Sequence, residues 1–175
     1  LFFPDEPTAV QALQKGKITA IGGISNSAIE SMLPDRDHDI FSVLLPEYKL
    51  ILLNQQNAAL PFFQDKKVRQ ALLVGLNRDR IVGEVLDGQA VVATGPILPG
   101  TWAFNEQLRQ VDYDLHHAEE LLQAGHWFIP EDVLPGSDDY VRQKNGRLLA
   151  FDLLVPDDAN SIAIGQMAVE DWAQL

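Results

Sequence analysis

Residues 61–88 read PFFQDKKVRQALLVGLNRDRIVGEVLDG, and this stretch predicts two helices in tandem. Asp65 is suited to cap the first helix, since its carboxylate can accept hydrogen bonds from the free N–H groups of the first turn. Val68, Ala71, Leu72 and Leu76 then recur at helical spacing and form one apolar face. We therefore expect a helix that begins after Asp65 and packs this face on a core.

The second helix of the pair is predicted over residues 78–87, with Asn77 as its cap and Gly88 as its stop. Its inward face is apolar and consists of Ile81, Val82, Val85 and Leu86. On the first helix, Asp65 and Arg69 lie four residues apart, so they can form a surface ion pair, which contributes little free energy.

Four more segments combine a terminal signal with apolar residues at helical spacing. They are residues 7–15 with Pro7 in the first turn, a short helix capped by Ser25 or Asn26 and ended by Pro34, residues 115–124 between Asp114 and Gly125, and a final helix capped by Asn160. Together with the tandem pair, they predict a chain rich in short helices.

Short apolar runs between these helices predict strands. The runs are residues 18–24, 40–45, 50–53 and 148–155. Asn145-Gly146 precedes the last run and is a strong signal for a type I′ turn. Because helices and strands alternate along the chain, we expect a mixed α/β or α+β fold in which helices flank a mixed sheet.

Residues 89–110 hold no regular period and are expected to be irregular. Long irregular segments inside compact domains are uncommon and are often functional. Trp102 and Phe104 lie here among polar residues, and aromatic faces beside backbone donors suit the recognition of a small polar ligand. The alternative is that both rings only anchor the loop to the core.

The amino-acid composition excludes some kinds of functional site and disfavours some kinds of binding partner. The 175 residues include 13 basic and 25 acidic residues, for a net charge of −12, and no cysteine. Disulfides and thiolate sites are therefore excluded, and nucleic acid and anionic membrane surfaces are disfavoured. No apolar run approaches the ~18 residues that a membrane span needs. Residues 111–175 hold 13 acidic and 3 basic residues, which leaves a net charge of −10 on this part.

No set of residues with catalytic chemistry is found. His117 and Glu120 are spaced to share one helix face, but no further metal ligands accompany them. Ser25 lacks the second glycine of a nucleophile elbow, and no phosphate-binding glycine motif occurs. We therefore predict no catalytic residue, no metal site and no cofactor, and we expect that the protein is not an enzyme.

Several motifs in order resemble those of the family 5 extracellular solute-binding proteins, the peptide- and nickel-binding receptors of bacterial ABC importers. They are residues 48–54, Phe62 to Asp65, the run VRQAL at 68–72, Asn77-Arg78 with Ile81-Val82, Gly88, and Gly95-Pro96. Tyr113-Asp114, Leu121-Leu122, Ala124-Gly125 and Trp127 resemble a further family segment, in which His126 is an insertion. Asn77 stands where the family commonly has Asp. The resemblance covers nearly the whole chain.

The resemblance implies one lobe of a two-lobed receptor that closes around its ligand. The resemblance implies that residues 1–175 are a single domain, a partial C-terminal-type lobe (domain III) of a larger protein, which would account for a start without methionine and an end inside a helix. Its partners would be a peptide or small solute, the remaining lobe and the transporter permease. The location implied is periplasmic or extracellular, with a lipid anchor as one option, and Asp65 and Arg69 would be structural.

Asn54, Thr94, Trp102 and Phe104 are our candidates for ligand contacts, chosen for their loop positions and chemistry. We expect the isolated lobe to bind ligand weakly or not at all, and to self-associate through apolar surface. The alternative is a stand-alone acidic protein-interaction module that binds a basic partner through residues 111–175. A hydrolase is a more distant alternative.

Overall fold

The computed structural model describes residues 1–32, 37–43, 45–134, 136–137 and 140–175 of the chain. Its contacts divide the chain into two compact units, Leu1–Leu44 and Leu45–Leu175. The helix stop expected at Pro34 lies outside the described residues.

The first unit consists of helices α1 (Glu6–Gln14) and α2 (Asn26–Met32). Asp5 caps α1, since its carboxylate accepts a 2.9 Å hydrogen bond from Thr8 N. Ser25, one of the two predicted caps of α2, accepts a 3.3 Å hydrogen bond from Ala28 N through its hydroxyl. A small apolar cluster joins the helices and contains Val10, Leu13 and Met32, with Ile18, Ile21, Ile24 and Ala28 packed against it.

Glu6 links the first turn of α1 to the start of α2. Its carboxylate accepts hydrogen bonds from Ser25 N at 2.5 Å and from Ser25 Oγ at 2.6 Å. These bonds favour the ionised carboxylate, so they lower the pKa of Glu6 below its ordinary value of 4.5. A hydrogen bond from Thr8 likewise lowers the pKa of Asp5.

Acidification is expected to loosen the contact between α1 and α2. Because the folded pKa of Glu6 lies below the unfolded value, its stabilising effect is present above pH 4.5 and is lost as pH falls through the folded value. Amide hydrogen exchange should show α1 and α2 losing protection in that window. A Glu6→Gln variant should lose less protection on acidification, while Glu30→Gln, at an exposed position of α2, should behave like the parent chain. Equal acid sensitivity of Glu6→Gln and the parent chain would contradict this role of Glu6.

The second unit contains the predicted tandem pair, α3 (Lys66–Val74) and α4 (Arg78–Glu84), preceded by a 3₁₀ helix (Pro61–Gln64). Both predicted caps are confirmed, because Asp65 accepts from Lys67 N at 2.9 Å and Asn77 from Arg80 N at 3.0 Å. Helix α4 ends three residues earlier than predicted. Asp87 and Gly88 have positive φ there, and Gly88 N donates to the Val82 carbonyl at 2.9 Å, which closes a turn instead of another helical turn.

Arg69 does not pair with Asp65, although their four-residue spacing would allow a surface ion pair. Its guanidinium donates to the carbonyls of Phe63 at 2.7 Å and Gln64 at 2.9 Å, so it caps the end of the 3₁₀ helix. Asp65 instead lies 3.5 Å from Lys144 Nζ while it caps α3. Both residues are therefore structural, as the family resemblance implied.

Helix α5 (Leu115–Ala124) has the predicted bounds and the predicted cap, since Asp114 accepts from His117 N at 2.9 Å. Its end is a Schellman motif, in which Trp127 N donates to Leu122 O at 2.9 Å and His126 N to Gln123 O at 2.8 Å. Gly125 is the C-cap with ordinary φ, whereas His126 takes the left-handed position with φ of 62°. The family insertion noted in the sequence is thus the residue that reverses the chain.

Helix α6 (Ala159–Trp172) starts one residue before the predicted cap Asn160. The cap is Asp158, whose carboxylate accepts from Ser161 N at 2.9 Å. Asn160 was the wrong choice because both residues have capping chemistry, and the backbone conformation of Asp158 is the extended one that a cap requires.

Helices α3 and α5 pack against each other around one apolar core. The buried core side chains are Phe62, Phe63, Val68, Ala71, Leu72, Val74, Ala118, Leu122 and Trp127. Gly75 permits the close approach at the end of α3, because a Cβ there would lie 2.8 Å from Leu175 Cδ1 and 3.4 Å from Ala118 Cβ. Val68, Ala71 and Leu72 of the predicted α3 face are in this core, whereas Leu76 lies beyond the end of α3 and Val74 takes part in its place.

Regular strands within the described residues are limited to a hairpin of β1 (Gln143–Lys144) and β2 (Arg147–Leu148). Its turn residues Asn145 and Gly146 have φ of 53° and 73°, as the predicted type I′ turn requires. The chain is thus mixed helix and sheet, as predicted, but the strands expected at 18–24, 50–53 and 149–155 were wrong. Residues 40–43 and 45 also form no strand, and Leu44 of that run lies outside the described residues.

The failed strand predictions have a physical reason. Residues 50–53 and 151–155 do alternate between exposed and partly buried positions, with Leu53 and Phe151 packed on the core. A strand also needs a neighbouring chain segment to pair with its backbone N–H and C=O groups, and apolar alternation does not encode that partner. The described residues give these two runs no ladder partner.

Candidate functional site

The irregular segment between α4 and α5 is the main candidate for a binding surface. Residues 89–110 contain neither helix nor strand, as predicted. The segment is built from consecutive turns, including Phe104 N to Thr101 O at 3.1 Å and Leu108 N to Asn105 O at 3.2 Å. Such self-contained turns allow a long loop to keep a defined shape on the surface.

The first turn of α4 holds both ends of this loop together. Arg78 donates to the carbonyl of Ala93 at 3.5 Å through Nη1 and to the carbonyl of Val111 through Nη2. Asp79, its neighbour, accepts a 2.8 Å hydrogen bond from Gln110 Nε2. The loop is therefore closed at its base by two adjacent side chains. Sequence reasoning missed this closure, although Arg78 stood in a quoted family motif.

Trp102 is the most exposed aromatic residue of the loop, at 99% of its full accessible surface. No ring contact involves it among the described residues, whereas Phe104 is partly buried. Trp102 therefore does not anchor the loop to the core, which was the alternative considered from the sequence. A whole indole left in water is available to stack on a ligand.

Thr94 follows Ala93 directly, at the base of the loop. Its hydroxyl oxygen is buried and has no hydrogen-bond partner in the described part of the chain. An unpaired buried polar group costs about 1–3 kcal/mol, so a partner for this hydroxyl would be stabilising. Thr94, Trp102 and Phe104 thus share one closed loop.

Asn54 lies outside that loop. It follows a segment that Lys49 ties to α6, through a 2.8 Å hydrogen bond to Ser161 Oγ and a 3.7 Å ion pair with Asp158. Hydrogen bonds from Ser161, together with Lys49, lower the pKa of Asp158. Asn54 is exposed, and its Oδ1 accepts from Gln56 N at 3.0 Å. Neither a hydrogen bond nor a ring contact connects it with the other three candidates.

An apolar groove of about 510 Å³ runs along α6. Leu153, Val155, Ile162, Gly165 and Val169 line it, beside the polar side chains of α6. Gly165 lets Val155 approach α6 closely, because a Cβ at position 165 would lie 2.8 Å from Val155 Cγ1. The groove was not predicted, because its one signal in the sequence is Gly165, a glycine inside a helical pattern.

The histidine pair on α5 faces solvent. His116 Nε2 and His117 Nδ1 lie 3.5 and 3.4 Å from the carboxylate of Glu120. The described residues contain no group of three or more potential ligands that could hold a metal ion. Among the same residues, each helix is too short or too polar to cross a membrane.

Comparison with known proteins gives the family. Residues 1–175 match the bacterial extracellular solute-binding proteins, family 5 Middle. The oligopeptide-binding protein AppA of Bacillus subtilis (strain 168) is 30% identical over 152 residues, which are 86% of this chain and 26% of AppA. The chain thus spans about a quarter of that relative.

Two solved structures share the fold. NikZ from Campylobacter jejuni in complex with Ni(L-His) matches with a TM-score of 0.72 and 24% identity over 97% of this chain and 32% of NikZ. AppA from Bacillus subtilis in complex with a nonapeptide matches with a TM-score of 0.65 and 23% identity over 98% of this chain and 33% of AppA.

These matches distinguish between the two interpretations of the sequence, a receptor lobe and a stand-alone interaction module. The fold agrees with one lobe of a periplasmic-binding-protein architecture, as the resemblance implied. The alternative of a stand-alone acidic interaction module finds no support among the relatives. The family match extends over every residue of the chain, so this protein belongs to the family 5 bacterial extracellular solute-binding proteins.

Proposed function

We propose that this chain is part of the substrate-binding component of a bacterial ABC import system. The parent protein captures a peptide or similar small solute and delivers it to the membrane permease. The observation that carries the proposal is the family match over residues 1–175. Three comparisons support it. One relative is an oligopeptide-binding protein, and the two solved structures that share the fold hold a nonapeptide and Ni(L-His).

Residues 1–175 act in this proposal as a partial C-terminal-type lobe of a two-lobed receptor. Ligand drives closure only if it contacts both lobes better in the closed state than in the open one. The chain performs no chemistry and needs no cofactor or metal. Its location is periplasmic or extracellular, like that implied by the family description, with a lipid anchor as one option. Its exposed apolar side chains, such as Leu52 and Leu154, favour self-association of the isolated lobe.

We assign the ligand contacts of this lobe to three residues of the closed loop and to Asn54, which lies outside the loop. Trp102 supplies an aromatic face, Thr94 an unpaired hydroxyl and Phe104 a partly buried ring. Asn54 supplies the NH₂ group of its amide, since its oxygen is already engaged by Gln56 N. This combination suits a ligand with both apolar and hydrogen-bonding groups.

Titration calorimetry with a panel of short peptides and nickel–histidine tests the proposal. The parent polypeptide should bind at least one member tightly, whereas the 175-residue chain should bind weakly or not at all because half of the cleft is missing. Tight stoichiometric binding by the isolated chain would contradict the two-lobe requirement. Failure of the parent to bind any small solute would contradict the function.

A Trp102→Ala variant of the parent tests the site. We expect it to weaken ligand binding by about tenfold or more, as is common for aromatic contacts at the centre of an interface. Phe2→Ala is the matched control, because Phe2 is an equally exposed aromatic residue outside the loop. Equal ligand affinities of the two variants would show that Trp102 does not contact the ligand.

A further inference from the structure

The turn of the β1–β2 hairpin places an unprotected asparagine next to glycine. Asn145 and Gly146 are both exposed. Neither the Asn145 side-chain amide nor the Gly146 N–H has a hydrogen-bond partner within the described residues. A Cβ built at Gly146 would meet no atom within 4 Å, so no other part of the described chain crowds this side of the glycine.

Other asparagines of the chain are engaged in a way that Asn145 is not. In four of them, the side-chain oxygen accepts a hydrogen bond from a nearby backbone N–H at 3.0 Å. These four are Asn54, Asn57, Asn77 and Asn105. None of these four is followed by glycine, and of all seven asparagines only Asn145 is. The same chain therefore supplies its own internal controls.

We propose that Asn145 is a site of spontaneous deamidation. After loss of its proton to water or hydroxide, the backbone nitrogen of Gly146 attacks Cγ of Asn145, and the new N–C bond closes a five-membered succinimide. The C–N bond of the side-chain amide breaks, and ammonia leaves with a proton from solvent. Water then adds to one of the two ring carbonyls and opens the ring, which leaves aspartate or isoaspartate at position 145. The net change is the uptake of one water and the release of one ammonia.

Glycine at position 146 makes the closure of the succinimide ring easier. A side chain on the residue after asparagine crowds the attacking nitrogen, and glycine alone has no Cβ. Asn145 and Gly146 connect β1 to β2, and none of the described contacts pins the asparagine amide away from the nitrogen.

The modification has consequences beyond the turn. Isoaspartate adds a methylene to the backbone of a two-residue turn, which is incompatible with the pairing of Gln143 with Leu148 and of Lys144 with Arg147. The hairpin also carries contacts to the core. Arg142 is only 8% exposed and donates to Trp127 O at 3.3 Å, and Lys144 pairs with Asp65 at 3.5 Å. A change at an exposed turn thus loosens buried contacts.

Incubation of the folded chain at mildly alkaline pH tests the proposal. Peptide mapping by mass spectrometry should show the mass gain of amide-to-acid conversion at Asn145 at least about ten times faster than at Asn57 or Asn105, a barrier difference of about 1.4 kcal/mol. Labelling by an isoaspartyl methyltransferase should identify isoaspartate in the same peptide. Amide exchange in β1 and β2 should accelerate in the converted fraction.

Two variants keep the test decisive. Asn145→Gln retains the amide but requires a slower six-membered ring, so conversion at this position should cease on the same timescale. Asn105→Gln, an exposed change in the irregular loop, should leave conversion at Asn145 unchanged. Conversion of Asn145 no faster than that of Asn57, or conversion only after unfolding in urea, would overturn the proposal, because the turn would then hold the amide out of reach.

Discussion

Leu122→Ala is expected to lower the free energy of unfolding by about 2–5 kcal/mol, the range for removal of a fully buried leucine side chain. Leu122 lies in α5 with none of its surface exposed, inside the core that α3 and α5 share. Its carbonyl also accepts the hydrogen bond from Trp127 N that closes the Schellman motif. The substitution leaves a cavity next to a helix end that cannot collapse freely, so the loss should be large. Urea unfolding followed by circular dichroism measures it.

The matched control is Leu154→Ala. Leu154 is 97% exposed and belongs to the same unit, so its truncation should change the free energy of unfolding by no more than about 0.5 kcal/mol. Similar losses for both variants would mean that the α3–α5 contact is not the core that stabilises this unit.

Asp171→Ala is expected to cost about 3 kcal/mol, in line with the removal of one partner from a buried charged network. Asp171 lies in α6 and is 1% exposed. Its carboxylate accepts a 2.8 Å hydrogen bond from Asn77 N and lies 3.4 Å from Arg80 Nη2. Asn77 caps α4, so this single side chain joins α6 to the start of α4. Its removal leaves a backbone N–H and part of a guanidinium without a partner.

Glu170→Ala separates this effect from a surface ion pair. Glu170 precedes Asp171 and contacts the same guanidinium at 3.1 Å, but its side chain is 66% exposed. Exposed ion pairs contribute about 0–1 kcal/mol, so Glu170→Ala should cost much less than Asp171→Ala in the same urea titration. An Asp171→Asn variant should retain part of the stability, because its amide oxygen can still accept from Asn77 N. Equal costs for Asp171→Ala and Glu170→Ala would show that the buried carboxylate has no special role.

Local chemistry explains why several elements could be predicted. Asp65, Asn77 and Asp114 each cap a helix where the sequence placed them, because a cap acts on backbone groups only two or three residues away. The Asn145-Gly146 turn followed from the same kind of information, since both residues tolerate positive φ. The error at Asn160 shows the limit, because Asp158 and Asn160, two capping residues only two positions apart, cannot be ranked without the backbone conformation.

The candidate site was only partly accessible to sequence reasoning. An irregular loop with two aromatic residues could be recognised from the missing period and the composition of residues 89–110. That Trp102 is exposed while Phe104 is partly buried depends on how the loop folds back on the unit. The closure of the loop by Arg78 joins atoms from residues 78, 93 and 111, and no local pattern encodes such a contact.

The helices, the caps at Asp65, Asn77 and Asp114, the hairpin turn and the family could all be read from the amino-acid sequence, because they depend on neighbours along the chain or on motifs in a fixed order. Only the tertiary structure decided which apolar runs pair as strands, which carboxylate is buried and which side chains close the candidate loop. Those outcomes depend on segments that are distant in sequence. Asp171 shows the difference most simply, since an aspartate near a helix end becomes a buried link only when Asn77 is brought against it.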